Sequence, residues 1–106
     1  MNWTFDFENM DVYRLALEVA CWIRTVEWPD GTGKTRDQGV RAAESVVLNF
    51  AEGWMRRGKA GKNQLRIAYA SAGEVVAVLD IVPLAGGPEM QNKTRRVGAI
   101  LRKLML

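Results

Sequence analysis

A chain of 106 residues, 48% hydrophobic and 25% charged, has the composition of one globular domain with an apolar core. Its single cysteine, Cys21, excludes an internal disulfide, and the absence of histidine excludes a Cys/His zinc site and any imidazole-dependent nucleophile. The formal charge of +3 is unevenly placed, because residues 1–30 carry a local net charge of −4 and the remainder therefore carries +7.

The N-terminal residues, MNWTFDFENMD, are acidic and contain no basic segment followed by an apolar run. No uninterrupted apolar stretch approaches the ~18 residues that a membrane-spanning helix needs. The sequence therefore predicts a cytoplasmic protein without a membrane partner.

Proline and glycine clusters divide the chain into four segments, each with the periodicity of a helix. The clusters occupy residues 28–33, 58–61 and 83–88. The predicted helices of a single domain, residues 1–106, occupy residues about 9–27, 36–57, 62–82 and 89–104. Because the connections are short, consecutive helices are antiparallel neighbours, and the predicted fold is all-α, an up-down-up-down four-helix bundle.

In the first predicted helix, apolar residues recur at spacings of three, four and seven, which is typical of one buried helical face. They are Val12, Leu15, Ala16, Val19, Trp22, Ile23 and Val26. Asn9 or Asp11 is the expected N-cap, because short polar side chains accept hydrogen bonds from the free N–H groups of the first turn.

The second predicted helix carries an apolar stripe and, on its opposite side, a polar one. The apolar stripe consists of Val40, Ala43, Val47, Phe50 and Trp54. The polar stripe consists of Gln38, Arg41, Ser45, Asn49, Glu52 and Arg56. Either the polar stripe docks a partner or a polynucleotide, or it forms a hydrogen-bonded network between subunits.

The third predicted helix is apolar on more than one side. One face, suited to the bundle core, consists of Leu65, Ala68, Ala72, Val75 and Leu79. A second face consists of Ile67, Val78 and Ile81, and we expect it to be covered by self-association because a small bundle buries only part of such a helix. A strip of small residues, Ala70, Gly73 and Ala77, permits close helix packing within the monomer or between subunits.

The fourth predicted helix has an apolar face opposite a basic one. The apolar face consists of Met90, Thr94, Val97, Leu101 and Leu104. Together with the turn before the third helix, the basic face supplies the candidate nucleic-acid-binding residues, which are Arg56, Arg57, Lys59, Lys62, Arg95, Arg96, Arg102 and Lys103. Cations seven residues apart, separated by a rise of ~10 Å, suit a phosphate backbone, and a solvated face is the alternative.

No pattern in the chain predicts a catalytic residue, a metal site or a cofactor, since no carboxylate pair is spaced for acid–base chemistry beside a nucleophile. We therefore expect a protein that is not an enzyme.

Residues 38–57, QGVRAAESVVLNFAEGWMRR, resemble the signature of the four-helix bundle proteins encoded in 23S rRNA intervening sequences. Residues 67–74, IAYASAGE, and residues 10–16, MDVYRLA, are similar to further segments of that family, so the resemblance covers about residues 9–82. The residues that carry the family motif are Gln38, Arg41, Ser45, Asn49, Glu52, Gly53, Arg56, Ser71 and Glu74.

Two features depart from the family pattern. Gly39 stands where the family usually has a larger apolar residue, and a glycine inside a helix costs about 1 kcal/mol. The segment WPDGTGKTR, residues 28–36, lacks the usual Pro-x-x-Glu start of the second helix, so the entry to that helix is not defined by the motif.

The resemblance implies a ring-like homo-oligomer, commonly a pentamer, whose relatives include the accessory variability determinant of diversity-generating retroelements. That relative is a basic bundle that binds nucleic acid and a reverse transcriptase. Two functions are therefore open. One is an oligomer that binds RNA or DNA through its basic surfaces as the accessory factor of a reverse transcriptase, and the other is a structural or protein-interaction module with no nucleic-acid role.

Overall fold

The computed structural model describes residues 2–106, and Met1, which the predicted domain includes, lies outside this range. Four α helices form the fold, and the described residues contain no strand. They are α1 (Asp11–Thr25), α2 (Gly33–Arg56), α3 (Gly58–Ile81) and α4 (Gly87–Leu104), preceded by a single 3-10 turn at Asp6–Asn9. Each helix packs against its neighbours in sequence, and α1 also packs against α4. The predicted all-α four-helix bundle is confirmed.

The core follows the predicted faces of three helices. In α1 the predicted residues Val12, Ala16, Val19 and Ile23 are buried, whereas Leu15, Trp22 and Val26 are half-buried. The predicted face of α3 is buried from Leu65 to Leu79, and that of α4 is buried from Met90 to Leu101, with Leu104 half-buried. In α2 the buried face is wider than predicted. It includes Gly39, Ala42 and Val46, whereas Val40 and Trp54, the first and last residues of the predicted stripe, are only half-buried.

The connection between α2 and α3 is much shorter than the glycine pattern predicts. Residues 58–61 belong to the first turn of α3, and Arg57 alone separates the two helices. A Cβ atom on Gly61 would lie 2.5 Å from the carbonyl oxygen of Gly53, and one on Gly53 would lie 2.8 Å from that of Gly61. The two glycines therefore bring the backbones of α2 and α3 into direct contact, which accounts for Gly61 within a helix.

Gly39 makes a second close contact, toward the other end of the same helix pair. A Cβ atom at this position would lie 2.8 Å from Cγ1 of Val78 and 3.2 Å from Cδ1 of Ile23. The side chain of Val78 occupies the space that the larger residue of the family pattern would take. Val78 is consequently 3% exposed and packs inside the subunit, which corrects its assignment to an exposed face with Ile67 and Ile81.

The start of α1 also differs from expectation. Met10 is the N-cap and makes no side-chain capping hydrogen bond. Asn9 ends the preceding 3-10 turn instead, and its side-chain oxygen accepts a hydrogen bond from Nη2 of Arg14 at 3.4 Å. Within residues 2–106, no helix combines the length and the hydrophobicity that crossing a membrane requires.

Candidate nucleic-acid interface

Three family-motif residues form a hydrogen-bonded network within the subunit. The hydroxyl groups of Ser45 in α2 and Ser71 in α3 lie 2.8 Å apart. The Asn49 side-chain amide donates to the carbonyl oxygen of Ser45 at 3.0 Å and to its hydroxyl oxygen at 2.9 Å. Because all three residues are at least half-buried, the network satisfies polar groups in the α2–α3 contact that burial would otherwise penalise.

The other motif residues divide into packing and exposed groups. Gly53 provides the backbone contact with α3, while Glu52 and Arg56 form an exposed ion pair of 3.0 Å. Three further motif residues are exposed and make no hydrogen bond or ion pair with another described side chain; they are Gln38, Arg41 and Glu74. The internal contacts of the chain therefore do not explain why it has these three.

The surface of α3 around the motif residue Glu74 is apolar. Ile67 is 48% exposed and Ile81 is 70% exposed. The small residues Ala70, Gly73 and Ala77 are exposed as well, and a Cβ atom on Gly73 would meet nothing within 4 Å. The strip of small residues is thus on the surface of the subunit and takes no part in its internal packing.

The two basic clusters meet at one end of the bundle. The turn between α2 and α3 carries Arg56, Arg57, Lys59 and Lys62, and the ammonium group of Lys62 donates a hydrogen bond to the carbonyl oxygen of Leu106 at 3.3 Å. This contact places the last turn of α4, with Arg102 and Lys103, beside the α2–α3 turn. We call this group the basic end; its members are Arg56, Arg57, Lys59, Lys62, Arg102 and Lys103.

Few of the candidate cations are neutralised by carboxylates. Arg56 pairs with Glu52, and Arg96 reaches Asp11 across the contact with α1 at 3.9 Å. The other six form no ion pair with a side-chain carboxylate of residues 2–106; they are Arg57, Lys59, Lys62, Arg95, Arg102 and Lys103. All six side chains are exposed, so their charges are available to anions in solution.

Lys93 contrasts with these residues although it is close to them in sequence. Its ammonium group is held by the carboxylates of Glu18 and Glu89. The hydrogen bond to Glu18 raises the pKa of Lys93 above its ordinary value of 10.5. Lys93 therefore has a structural partner and is not one of the free cations.

The helix dipoles of α3 and α4 act differently on the cations of the basic end. Arg102 and Lys103 lie in the last turn of α4, where a positive charge is favourable. Lys59 lies in the first turn of α3, which contains no acidic residue, so its charge meets the positive end of the helix dipole. Helix stability thus accounts for the cations of α4 but disfavours Lys59.

A groove between α3 and α4 extends the basic end along the side of the bundle. It has a volume of about 370 Å³ and is lined by Tyr69, Gly73, Arg95, Gly98 and Arg102, among others. Glycine at two of these positions keeps the floor open, and Arg95 and Arg102 provide positive charge at the walls. Tyr69 is a lining residue that charge spacing alone does not identify, although its place on α3 opposite Gly98 follows from antiparallel packing.

The aromatic residue Trp54 belongs to this end of the molecule as well as to the edge of the core. The Arg57 guanidinium lies 5.2 Å from the centroid of the Trp54 ring, within the range of a cation–π interaction. The indole N–H of Trp54 is buried and has no hydrogen-bond partner. No group of three or more cysteine or acidic residues within the described chain is placed to hold a metal ion.

Comparison with known families agrees with this architecture. A family model described as 23S rRNA-intervening sequence protein matches residues 8–97, which include α1, α2, α3 and more than half of α4. No curated protein matches the chain.

Proposed function

The chain belongs to the 23S rRNA-intervening sequence protein family, and from that premise we propose that it is a non-enzymatic, ring-forming homo-oligomer that binds RNA or DNA through its basic end. More specifically, we propose that the oligomer is an accessory factor of a retroelement reverse transcriptase. This is the role of the accessory variability determinant, a relative implied by the sequence motif. The observation that carries the proposal is the set of six cations that form no ion pair with a side-chain carboxylate of residues 2–106.

These cations suit a polyanion better than a small ligand. Arg102 and Lys103 lie beside Lys62 at the basic end, and Arg95 continues the positive charge along the α3–α4 groove. A phosphate backbone requires charge over an extended surface and no base-specific pattern. The unfavourable position of Lys59 at the start of α3 supports a role outside the subunit.

Assembly is supported by two separate apolar surfaces. One lies between α1 and α2, where Leu17 and the 67%-exposed Leu48 line a groove of about 270 Å³. The other is the outer face of α3 with Ile67 and Ile81. Two different surfaces on one subunit allow head-to-tail contacts, which close into a ring when the rotation between neighbouring subunits divides a full turn. A ring would repeat the basic end around its axis and strengthen weak phosphate contacts through effective concentration.

Light scattering tests the assembly. The purified protein should exceed the 11.9 kDa of one chain, and Ile81→Arg or Leu48→Glu should lower the mass more than Arg102→Glu does. A clean monomer at micromolar concentration would contradict the oligomer.

Fluorescence anisotropy tests nucleic-acid binding, with single-stranded RNA, duplex DNA and a DNA/RNA hybrid at two salt concentrations. Binding should be largely independent of sequence, and log K should fall with log salt at roughly −0.7 to −0.9 per phosphate neutralised. The double variant Arg95→Glu/Arg102→Glu should bind more weakly and with a flatter salt dependence. Lys34→Glu/Arg36→Glu is the matched control, since it makes the same charge change at the start of α2, far from the basic end.

A protein-interaction module is the second candidate, and one observation favours it. Gln38, Arg41 and Glu74 are exposed motif residues without a side-chain partner among residues 2–106, so they are free to form the polar rim of a protein interface around the exposed apolar residues Ile67 and Ile81. If none of the three nucleic acids binds at low salt, this candidate replaces the first.

A further inference from the structure

The first residues of the chain complete a cavity beside the basic end. It has a volume of about 330 Å³ and lies between the N-terminal segment and the last turn of α2. Its walls include Trp3, Phe5, Asp6, Trp54, Met55 and Arg57. Aromatic rings, one cation and one carboxylate therefore surround a space open to solvent.

The N-terminal segment is anchored, although the side chains of Trp3 and Phe5 are exposed. The backbone N–H of Phe5 donates to the Glu8 carboxylate at 2.8 Å, and the guanidinium of Arg14 donates to the carbonyl oxygen of Glu8 at 3.2 Å. The ring of Phe7 packs edge-to-face on Tyr13 at 5.0 Å. These contacts fix the direction of the segment and hold Trp3 at the cavity.

Trp3 has more exposed apolar surface than its own packing requires. Its side chain is 66% exposed and meets Phe5 edge-to-face at 4.5 Å, which leaves a broad aromatic face toward solvent. Flat aromatic faces at a positively charged surface are the stacking platforms on which single-stranded nucleic acids lay their bases.

Arg57, which lines the same cavity at the end of α2, has an unusual backbone conformation. Its backbone has φ 59° and ψ −178°, a conformation that is essentially restricted to glycine. Glycine would adopt it without strain, so the strain indicates a role for the Arg57 side chain. That side chain lies over Trp54 and presents a planar guanidinium, which both stacks on bases and pairs with phosphate.

We propose that this cavity accepts an unpaired nucleobase, stacked between Trp3 and the Arg57–Trp54 pair, while Arg57 and Lys59 contact the adjoining phosphates. The Asp6 carboxylate, which lines the same cavity, accepts hydrogen bonds from the exocyclic amino group of the base. This inference rests on the proposed function and adds to it that single strands are preferred, since a base within a duplex presents no free face.

Three probes of equal length separate stacking from phosphate contact. They are a 12-nucleotide oligoadenylate, an abasic 12-mer with the same sugar-phosphate backbone, and a 12-base-pair duplex. The native protein should bind oligoadenylate roughly 5- to 100-fold more tightly than the abasic strand for one stacked base. Binding should also quench tryptophan fluorescence.

The variant Trp3→Ala should reduce the affinity for oligoadenylate to that for the abasic strand and leave the abasic and duplex affinities unchanged. Trp3→Phe should retain most of the preference because it keeps a ring, and it should lose the part of the quenching that comes from Trp3. Leu106→Ala is the matched control, since it removes another exposed apolar side chain at this end while keeping the carbonyl oxygen that Lys62 contacts. Circular dichroism should show the same thermal transition for all three variants.

Two results would overturn the stacking site while leaving the proposed function intact. One is equal affinity of the native protein for oligoadenylate and the abasic strand. The other is a Trp3→Ala variant that weakens all three probes by the same factor. If no probe binds at low salt, the proposed function itself fails, and the stacking site fails with it.

Discussion

The two ends of the α2–α3 pair both depend on glycine, but they depend on it differently. At the end that carries the α2–α3 turn, Gly53 and Gly61 place backbone against backbone. Toward the other end, Gly39 places backbone against the side chains of Val78 and Ile23. A backbone contact is relieved only by separating the helices, whereas a side-chain contact is relieved by a smaller neighbour.

This difference explains how the chain keeps one feature of its family pattern and loses another. Gly53 matches the motif, and its backbone contact leaves no single compensating substitution. Gly39 departs from the motif, and the bulk missing there is supplied by Val78 from the facing helix. We call the end with the Gly53–Gly61 contact the tight end. At this end Arg57 alone connects α2 and α3, and the basic end lies here as well.

Truncating core side chains between the two ends should have the largest effect on the free energy of unfolding. Phe50 is fully buried on α2, so Phe50→Ala should reduce the free energy of unfolding by ~3–5 kcal/mol through lost burial and a cavity. Leu79→Ala should reduce it by ~2–5 kcal/mol. Denaturant titration measures both. Lys103→Ala, on the surface, is the control and should lie within about 0.5 kcal/mol of the native protein. Equal losses at all three positions would contradict the assigned faces.

The buried faces were predictable because burial along a helix follows its period. The spacing in α1, α3 and α4 identified residues such as Val12, Leu79 and Leu101 correctly. The burial of Val78 was not predictable, since it depends on a missing Cβ atom on a different helix. The helical state of Gly61 was not predictable for the same reason, because local propensity disfavours it and a contact with Gly53 outweighs that preference.

The candidate site was predictable in part from topology. In an up-down-up-down bundle, the turn between the second and third helices lies at the same end as the two chain termini. The basic residues of the α2–α3 turn and those of the last turn of α4 must therefore lie at the same end. For the same reason, the aromatic residues Trp3 and Phe5 lie at that end. The strain at Arg57 and its contact with Trp54 depend on the one-residue connection, which charge and periodicity do not specify.

A methyl group in the backbone contact tests the tight end. Gly61→Ala should lower the free energy of unfolding by about 2 kcal/mol. The new Cβ atom meets a rigid backbone oxygen, so overpacking should cost about 3 kcal/mol, the upper end of its usual range, and replacing a helical glycine returns only ~1 kcal/mol. Denaturant titration with an unchanged m-value would show that the fold is retained. The matched control is Gly73→Ala in the same helix, where a Cβ atom meets nothing within 4 Å and the change should stabilise by up to ~1 kcal/mol. A neutral Gly61→Ala would show that the helices separate without cost.

The strained turn at the tight end should respond in the opposite direction. Arg57→Gly should raise the free energy of unfolding by about 1 kcal/mol, since relief of a backbone strain of 1–3 kcal/mol is offset by the lost cation–π contact and the greater freedom of the unfolded chain. Thermal and denaturant unfolding measure this change. Arg56→Gly, at the last residue of α2, is the control and should destabilise by roughly 1 kcal/mol, because it lowers helix propensity and removes the ion pair with Glu52. A destabilised Arg57→Gly would mean that the side chain, rather than the backbone, determines the turn.

Gly39→Ala should have the smallest effect on the free energy of unfolding. The size of that effect shows whether the contact at Gly39 is less rigid than the contact at Gly61. In Gly39→Ala the new Cβ atom crowds Cγ1 of Val78, a cost of ~1 kcal/mol that nearly cancels the gain in helix propensity, so the net change should be within about 0.5 kcal/mol. A double-mutant cycle with Val78→Ala should then give a favourable coupling of about 1 kcal/mol, because the smaller neighbour relieves the crowding. The cycle of Val78→Ala with Gly61→Ala should give no coupling beyond ~0.3 kcal/mol, since Gly61 contacts only the backbone of α2. If Gly39→Ala costs as much as Gly61→Ala and Val78→Ala does not relieve it, both contacts are equally rigid, and the departure from the family pattern at Gly39 has another cause.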